Sequence, residues 1–458
     1  MSSGSLAELL AHWLPSQRWF AGSGAVVREI AIRSDVQLKP GDSELRQLII
    51  DVKVGQRIVT YQVLVGLTRQ LEPELGGATI GIVSDGRVAY DGAVDPRLTA
   101  VLLDGIASQR NVGPLRFRAE AGAGVDPGAV GRTLPAAASN TSIVFGDKAI
   151  LKVIRRPAPG RHPDLEIPST LARLGSTLVA PPLGWIEIPG TDQPGTDQPG
   201  GDPSGAQEPT ILAILSQFFA HATDGWTLAL AYLESTEPDF TAQANLLGQA
   251  TGRLHAELAA AFGTAALSRA AVADMTAHMM AELTEAAEVV AELSEYQPAI
   301  MASYTQLAEM IGEIAVQRIH GDYHLGQVLS ANEGWIILDF EGEPSVSLTR
   351  RRAFAPPLRD VAGMLRSFHY AARFQAGRDP GNQRLEGLAA DWMNRSQDAF
   401  CVGYGEVAGQ DPRRGGPLLR ALLLQKAVYE AVYEARHRPG WLPIPLHAIA
   451  EAVHECDR

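Results

Sequence analysis

Residues 314 to 344 constrain this chain more than any other stretch. Two short apolar runs, Ile314-Ala315-Val316 and Ile336-Ile337-Leu338, flank the polar loop His320-Gly321-Asp322-Tyr323-His324-Leu325-Gly326-Gln327. Runs of this length around a loop are expected to form a hairpin-like pair of short strands, with Asp339 at the end of the second. Asp322, an amide five residues on at Gln327, and an Asp twelve residues further at Asp339 have the order and spacing of kinase-like phosphoryl transfer.

The chemistry explains these residue types. Phosphoryl transfer asks little covalent work of a protein, so catalysis is alignment of the acceptor hydroxyl and neutralisation of phosphate charge. Asp322 is expected to orient that hydroxyl and take its proton. Gln327 and Asp339 supply a neutral and an anionic oxygen, the hard ligands that Mg²⁺ prefers. His320 is expected to tie the loop backbone together, Glu341 to support the metal ligands, and Asp360 to anchor the helical part by hydrogen bonds.

The 458 residues suffice for two or three domains. A net charge of −13 and the absence of any long basic block argue against general nucleic-acid binding, which draws its affinity from Lys and Arg. Only Cys401 and Cys456 occur, so a reducing, cytoplasmic setting is expected. A basic and apolar leader is missing from the first twenty residues, and no apolar run is long enough to span a bilayer, so no membrane role is expected.

The texture changes along the chain. Residues 1–112 open with a short amphipathic helix around Leu6 to Leu14, followed by alternating runs at 48–52 and 58–65 that read as an antiparallel sheet with one covered face. Residues 113–220 are again strand-rich, at 141–147, 149–154 and 211–215. An exact repeat, Thr-Asp-Gln-Pro-Gly at 191–195 and 196–200, lies in a Pro- and Gly-rich stretch, and 190–208 is expected to be a surface loop. Residues 221–458 are mainly helical, with Ala- and Glu-rich periodic segments at 243–264 and 269–294. The fold class is therefore expected to be α+β and bilobal, with a strand-rich first lobe and a mainly helical second.

Lys152 sits in an alternating apolar strand upstream of the change of texture, the place of a lysine that pairs with ATP phosphates and with a helix-borne acid, for which Glu166 is the candidate. Ser216, Gln217 and Phe218 fall at the expected hinge, where backbone groups would meet an adenine ring. The loop at 138–142 is not a glycine-rich fingerprint, yet its small residues suit backbone contacts to phosphate.

Several blocks resemble the maltokinases, within the aminoglycoside-phosphotransferase-like kinases. They are Gln17-Arg18-Trp19-Phe20-Ala21-Gly22, Ile150-Leu151-Lys152, His320 to Leu329, Asp339-Phe340-Glu341-Gly342-Glu343-Pro344, Leu358 to Phe368, and Lys426-Ala427-Val428-Tyr429-Glu430 through Trp441-Leu442-Pro443-Ile444-Pro445-Leu446. Together they cover nearly the whole chain. The resemblance implies a protein-kinase-like fold with an extra N-terminal cap, and transfer of the ATP γ-phosphate to the anomeric hydroxyl of maltose, giving maltose 1-phosphate for α-glucan synthesis. It also implies association with trehalose synthase.

The helix near 421–436 reads as an acceptor wall, because Lys426 and Glu430, and Tyr429 and Tyr433, are four residues apart and share faces. Lys426, Tyr429, Glu430 and Trp441 offer charge and aromatic surface to a sugar, and His324 is expected to contact the acceptor or stiffen the loop. Arg350, Arg351 and Arg352 form a basic cluster that reads as a solvated turn or a phosphate clamp. Gln425 stands where an acidic residue is expected from the family, which bears on hydroxyl recognition. The rivals are a kinase of glucosamine or an aminoglycoside, and a non-catalytic scaffold.

Overall fold

The structure, a computed structural model, describes residues 3–20, 27–55, 57–135, 139–190, 208–236, 238–310, 312–332, 334–343, 346–379 and 381–454. The repeat at 191–200, most of the loop expected at 190–208, and Ala138, Pro344 and Cys456 lie outside these residues. The chain divides into two compact units, Met1–Ser169 with Ala180–Ala220, and Thr170–Val179 with His221–Arg458.

The first unit holds two sheets. Long alternating sequences at Ser43–Val54 and Arg57–Thr68 pair antiparallel in unbroken register from Ser43 opposite Thr68 to Val54 opposite Arg57. Val27–Lys39 and Val88–Asp91 flank them, and the sheet has six strands. One of its faces meets the capped Leu6–Trp13 helix, with the rings of Trp19 and Phe20 packed at a tilt against Tyr61. The opposite face, through Leu45, Ile49 and Leu64, shares a core with the Pro96–Ala107 helix and with the second sheet. Both faces are covered, which corrects the expected single covered face. Side chains on both sides of these strands are apolar, as a doubly buried sheet requires.

The second sheet has seven strands, with Thr210–Gln217 at its centre and Ala149–Val153 between it and Thr141–Phe145. Asn111–Val112 already pairs with Leu115–Ala119 in this sheet. The boundary expected at 112 thus falls in the turn of a hairpin.

The second unit is mainly helical. Gly334–Ile337 pairs with Val328–Ala331, whereas Ile314–Gln317 pairs with Thr264–Leu267. This corrects the expected hairpin across the polar loop. The physical reason is loop closure: Val328–Ala331 closes on Gly334–Ile337 across a very short connection, while the polar loop would have been a long one. The Thr241–Phe262 and Gln383–Ala408 helices approach at Gly248 and Gly403, where an added Cβ would lie 2.1 Å from the Phe400 carbonyl and 2.0 Å from the Asn245 carbonyl. Phe240, Phe368, Trp392 and Phe400 fill the space beside this crossing.

Candidate active site

The polar loop is held from beneath by one carboxylate. Asp360, in the first turn of the Leu358–Ala376 helix and 1% exposed, accepts from the His320 N–H at 2.8 Å and the Gly321 N–H at 2.9 Å. The His255 Nε2 lies 3.0 Å from the same carboxylate. Burial opposes its charge, but the His255 hydrogen bond and the other donors outweigh it and hold Asp360 below the usual carboxylate range. Gly363, one turn on, lies against the loop, since a Cβ there would come 2.5 Å from the Tyr323 carbonyl.

His320 joins the two halves of the motif. Its Nε2 donates to the Leu338 carbonyl at 2.7 Å, and its Nδ1 accepts from the Asp322 N–H at 3.3 Å. One imidazole therefore links the backbone of Asp322 to the residue before Asp339. Gln327 Nε2 donates to Asp339 Oδ2 at 3.1 Å, and Glu341 offers a carboxylate oxygen within 4.8 Å of one on Asp339. Asp339 itself has φ 61°, a left-handed backbone that costs a non-glycine residue roughly 1–3 kcal/mol and clusters at functional sites. Asp339 and Glu341 bring carboxylate oxygens together on short connected segments, hard donors of the kind that suits Mg²⁺, while Gln327 turns its amide nitrogen to Asp339.

Asp322 lines a cavity of about 700 Å³ within the second unit. Lys426 Nζ lies 3.1 Å from Asp322 Oδ1, and the same ammonium sits 5.2 Å from the centre of the Tyr429 ring. Burial raises Asp322, but the Lys426 ammonium, with His324, more than offsets this and holds the carboxyl below its usual range. Lys426 in turn is raised against the effect of burial by Asp322, Glu430 and Glu343. The Tyr429 phenol is pushed up by burial and by Glu343. His324 is depressed, chiefly by burial, and its Nδ1 accepts from the Gly326 N–H at 3.1 Å, which leaves Nε2 as the protonated nitrogen.

The remaining sequence candidates are placed differently. Glu430 meets the buried Arg366 guanidinium at 2.6 and 2.9 Å, and it is absent from the cavity lining. Trp441 packs on Phe374 with centroids 5.1 Å apart and under the Arg438 guanidinium at 4.3 Å, also away from that lining. Neither groups with Asp322. The cavity wall instead contains residues not singled out in the sequence, above all Glu282 and His278 of the Arg269–Val289 helix, and Arg359. Gln425 Nε2 donates to Glu282 Oε2 at 2.8 Å, Arg359 reaches Gln425 Oε1 at 3.4 Å, and His278 Nε2 is 3.1 Å from Glu282. Gln425 thus stands at the centre of a polar chain on the wall. An acid on an Ala- and Glu-rich helix reads as a solvated face, so the only signal for Glu282 was the His-to-Glu spacing of four. Arg350 and Arg351 of the basic cluster line the same cavity.

Within the first unit, Lys152 Nζ pairs with Asp164 Oδ2 at 2.8 Å. Asp164 and Glu166, the acid singled out in the sequence, share the first turn of the Pro163–Arg173 helix. At the end of the Thr210–Gln217 strand, the Gln217 N–H donates to the Pro181 carbonyl and the Phe218 N–H to the Lys148 carbonyl. Ser216 lies opposite Ile150 in the sheet register. The N–H groups of Gln217 and Phe218 are therefore already committed.

The family model of the maltokinase N-terminal cap domain matches residues 13–95. A glucosamine kinase of Streptacidiphilus jiangxiensis is 29% identical over 394 residues, which are 82% of this chain and 86% of that protein. A glucosamine kinase of Mycolicibacterium smegmatis is 28% identical over 330 residues, 69% of this chain and 78% of that protein. Among solved structures, a glucosamine kinase in complex with glucosamine, ADP and inorganic phosphate covers 98% of this chain and 99% of its own, with a TM-score of 0.66 and 24% identity. A further crystal form of glucosamine kinase gives a TM-score of 0.68 at 23% identity. No helix of the described residues is long and apolar enough to cross a membrane. The chain has a protein-kinase-like α+β fold, its residues 13–95 match the maltokinase N-terminal cap domain, and its relatives support a phosphotransferase, a sugar kinase.

Proposed function

We propose that the protein is an ATP- and Mg²⁺-dependent maltokinase that transfers the γ-phosphate of ATP to the anomeric hydroxyl of maltose, giving maltose 1-phosphate for α-glucan synthesis. One observation carries the acceptor side: Asp322 lines a cavity of about 700 Å³, larger than a single pyranose ring fills and within the roughly 300–1,000 Å³ of small-molecule clefts. Hydrogen-bonding groups of both signs line it, which suits a neutral, hydroxyl-rich sugar.

In this reading the Lys426 ammonium occupies Asp322 Oδ1 and keeps the carboxylate ionised, and the other carboxylate oxygen receives the acceptor hydroxyl and its proton. The ring of Tyr429 supplies an apolar platform beside it, and Gln425 with Glu282 offers hydrogen bonds to the more distant hydroxyls. Gln327 and Asp339, with Glu341 near, would hold Mg²⁺, which neutralises phosphate charge when bound. Lys152, steadied by Asp164, binds nucleotide phosphate in the first unit. The solved relative with ADP supports ATP as the donor.

A second reading, a kinase of glucosamine, is favoured by the named activity of the relatives and by the acids on the cavity wall, since Glu282 can receive an ammonium. Purified protein offered maltose, glucosamine and an aminoglycoside, with ADP release followed, separates the readings. Maltose is expected to give the highest kcat/KM, and a higher value for glucosamine overturns the maltose assignment. Association with trehalose synthase, implied by the resemblance, is tested by co-elution of the two purified proteins.

A further inference from the structure

A second polar cluster lies in the helical unit, on residues that the proposed chemistry does not use. His369 comes from the Leu358–Ala376 helix, and His447 and Glu451, one turn apart, come from the Pro443–His454 helix. Their ligand atoms all lie within 4.8 Å of one another. His369 is 3% exposed; its Nδ1 makes no hydrogen bond among the described residues, and its Nε2 has only the Glu451 carboxylate, 3.4 Å away. A buried imidazole whose Nδ1 has no partner and whose Nε2 meets only the Glu451 carboxylate, at the limit of hydrogen-bond distance, calls for an explanation.

We propose that His369, His447 and Glu451 form a binding site for a zinc-like divalent ion, separate from the Mg²⁺ site assigned to Gln327 and Asp339. Two imidazoles and one carboxylate are a donor set that zinc accepts and magnesium disfavours. The spacing agrees. Glu451 Oε2 is 3.4 Å from His369 Nε2 and 3.3 Å from His447 Nδ1. Ligands at about 2.0–2.1 Å in tetrahedral positions are separated by about 3.3 Å along each edge, so two of the three edges already have the required length. The fourth position of such a site would fall to water.

A cation already occupies this neighbourhood. Arg373 Nη2 lies 3.2 Å from Glu451 Oε1 and 2.6 Å from His447 Nε2, so the guanidinium sits where a metal ion's charge would sit. Arg373 is 24% exposed and on a long side chain, so it can swing into solvent when an ion enters. Its displacement opposes binding. Neutralising it therefore strengthens binding, whereas a purely internal ion-pair network would only be weakened. A bound ion would also tie the C-terminal helix to the helix whose Asp360 holds the catalytic loop.

The test is equilibrium dialysis of the full chain against Zn²⁺ in excess Mg²⁺, with metal measured by elemental analysis. His447, with a side chain 42% exposed, is the residue to remove, because its loss leaves the core intact. Wild type is expected to retain one equivalent of zinc, His447→Ala to lose it, and Arg373→Gln to bind about tenfold more tightly, because a competing like charge is removed. Co²⁺ in place of zinc should give the intense visible bands of a four-coordinate site in wild type and not in His447→Ala. Equal zinc retention by wild type and His447→Ala, or no retention by either wild type or Arg373→Gln, overturns the proposal.

Discussion

Replacing Asp360 by Asn removes a charge and one acceptor beneath the catalytic loop, and the geometry sets the cost. Asp360 Oδ2 receives the His320 N–H and faces His255 Nε2, while Oδ1 receives the Gly321 N–H. An amide with its oxygen at the Oδ2 position keeps two of these contacts as neutral bonds and turns its NH₂ against the Gly321 N–H. One orphaned buried donor costs about 1–3 kcal/mol, and exchanging two charge-assisted bonds for neutral ones costs about 1 kcal/mol each, so the loss is about 3–5 kcal/mol. This is a large part of a typical stability of about 5–15 kcal/mol. Urea denaturation at neutral pH, read as a shift in midpoint at constant slope, measures it. The carboxyl of Asp360 is held below its usual range when folded, so its stabilisation is present above the unfolded value near ~3.9 and is lost only as pH falls through the lower folded value. The stability difference between wild type and variant should accordingly persist at neutral pH and narrow only in strong acid. A loss under about 1 kcal/mol at neutral pH would refute the assignment of Asp360 as the support of the loop.

Other expectations follow from the same contacts. Lys426→Met removes the cation that holds Asp322 down and leaves burial, which raises it, so the acid limb of the kcat/KM profile should move to higher pH. An unmoved limb would mean that Lys426 does not govern Asp322. Gly363→Ala places a methyl 2.5 Å from the Tyr323 carbonyl, with a backbone atom unable to yield cheaply; a thermal scan should show a loss of about 1–3 kcal/mol, together with reduced kcat. Gln425→Glu sets a second carboxylate against Glu282, now 2.8 Å from the amide nitrogen, and should shift the kcat/KM ratio toward glucosamine and away from maltose by about fivefold, the effect of ~1 kcal/mol.

The polar loop and its internal links were legible in the sequence because its parts are close along the chain. His320, Asp322, Gln327 and Asp339 fall within twenty residues, and the links through His320 are local. The long strands at Ser43–Val54 and Arg57–Thr68 were likewise readable from apolar alternation, and the helix expected near 421–436 from its i,i+4 pairs; it spans Gly416–His437. Legibility failed where a partner is distant. The Lys426 that faces Asp322 is 104 residues away, and Glu430 is claimed by Arg366 from another helix rather than by its neighbour Lys426 one turn back. Periodicity assigns a residue to a helical face but does not say what stands opposite that face. The second covered face of the first sheet was missed for the same reason, because Leu45, Ile49 and Leu64 reveal their role only through the helix and strands that pack on them.

Phosphate transfer from ATP to maltose by Asp322→Asn, followed alongside nucleotide binding, tests the central claim most directly. The variant should bind Mg-ATP with nearly unchanged affinity while turnover falls by at least about a hundredfold, the share a positioned base contributes. Turnover at the wild-type rate would show that Asp322 neither aims the acceptor hydroxyl nor takes its proton.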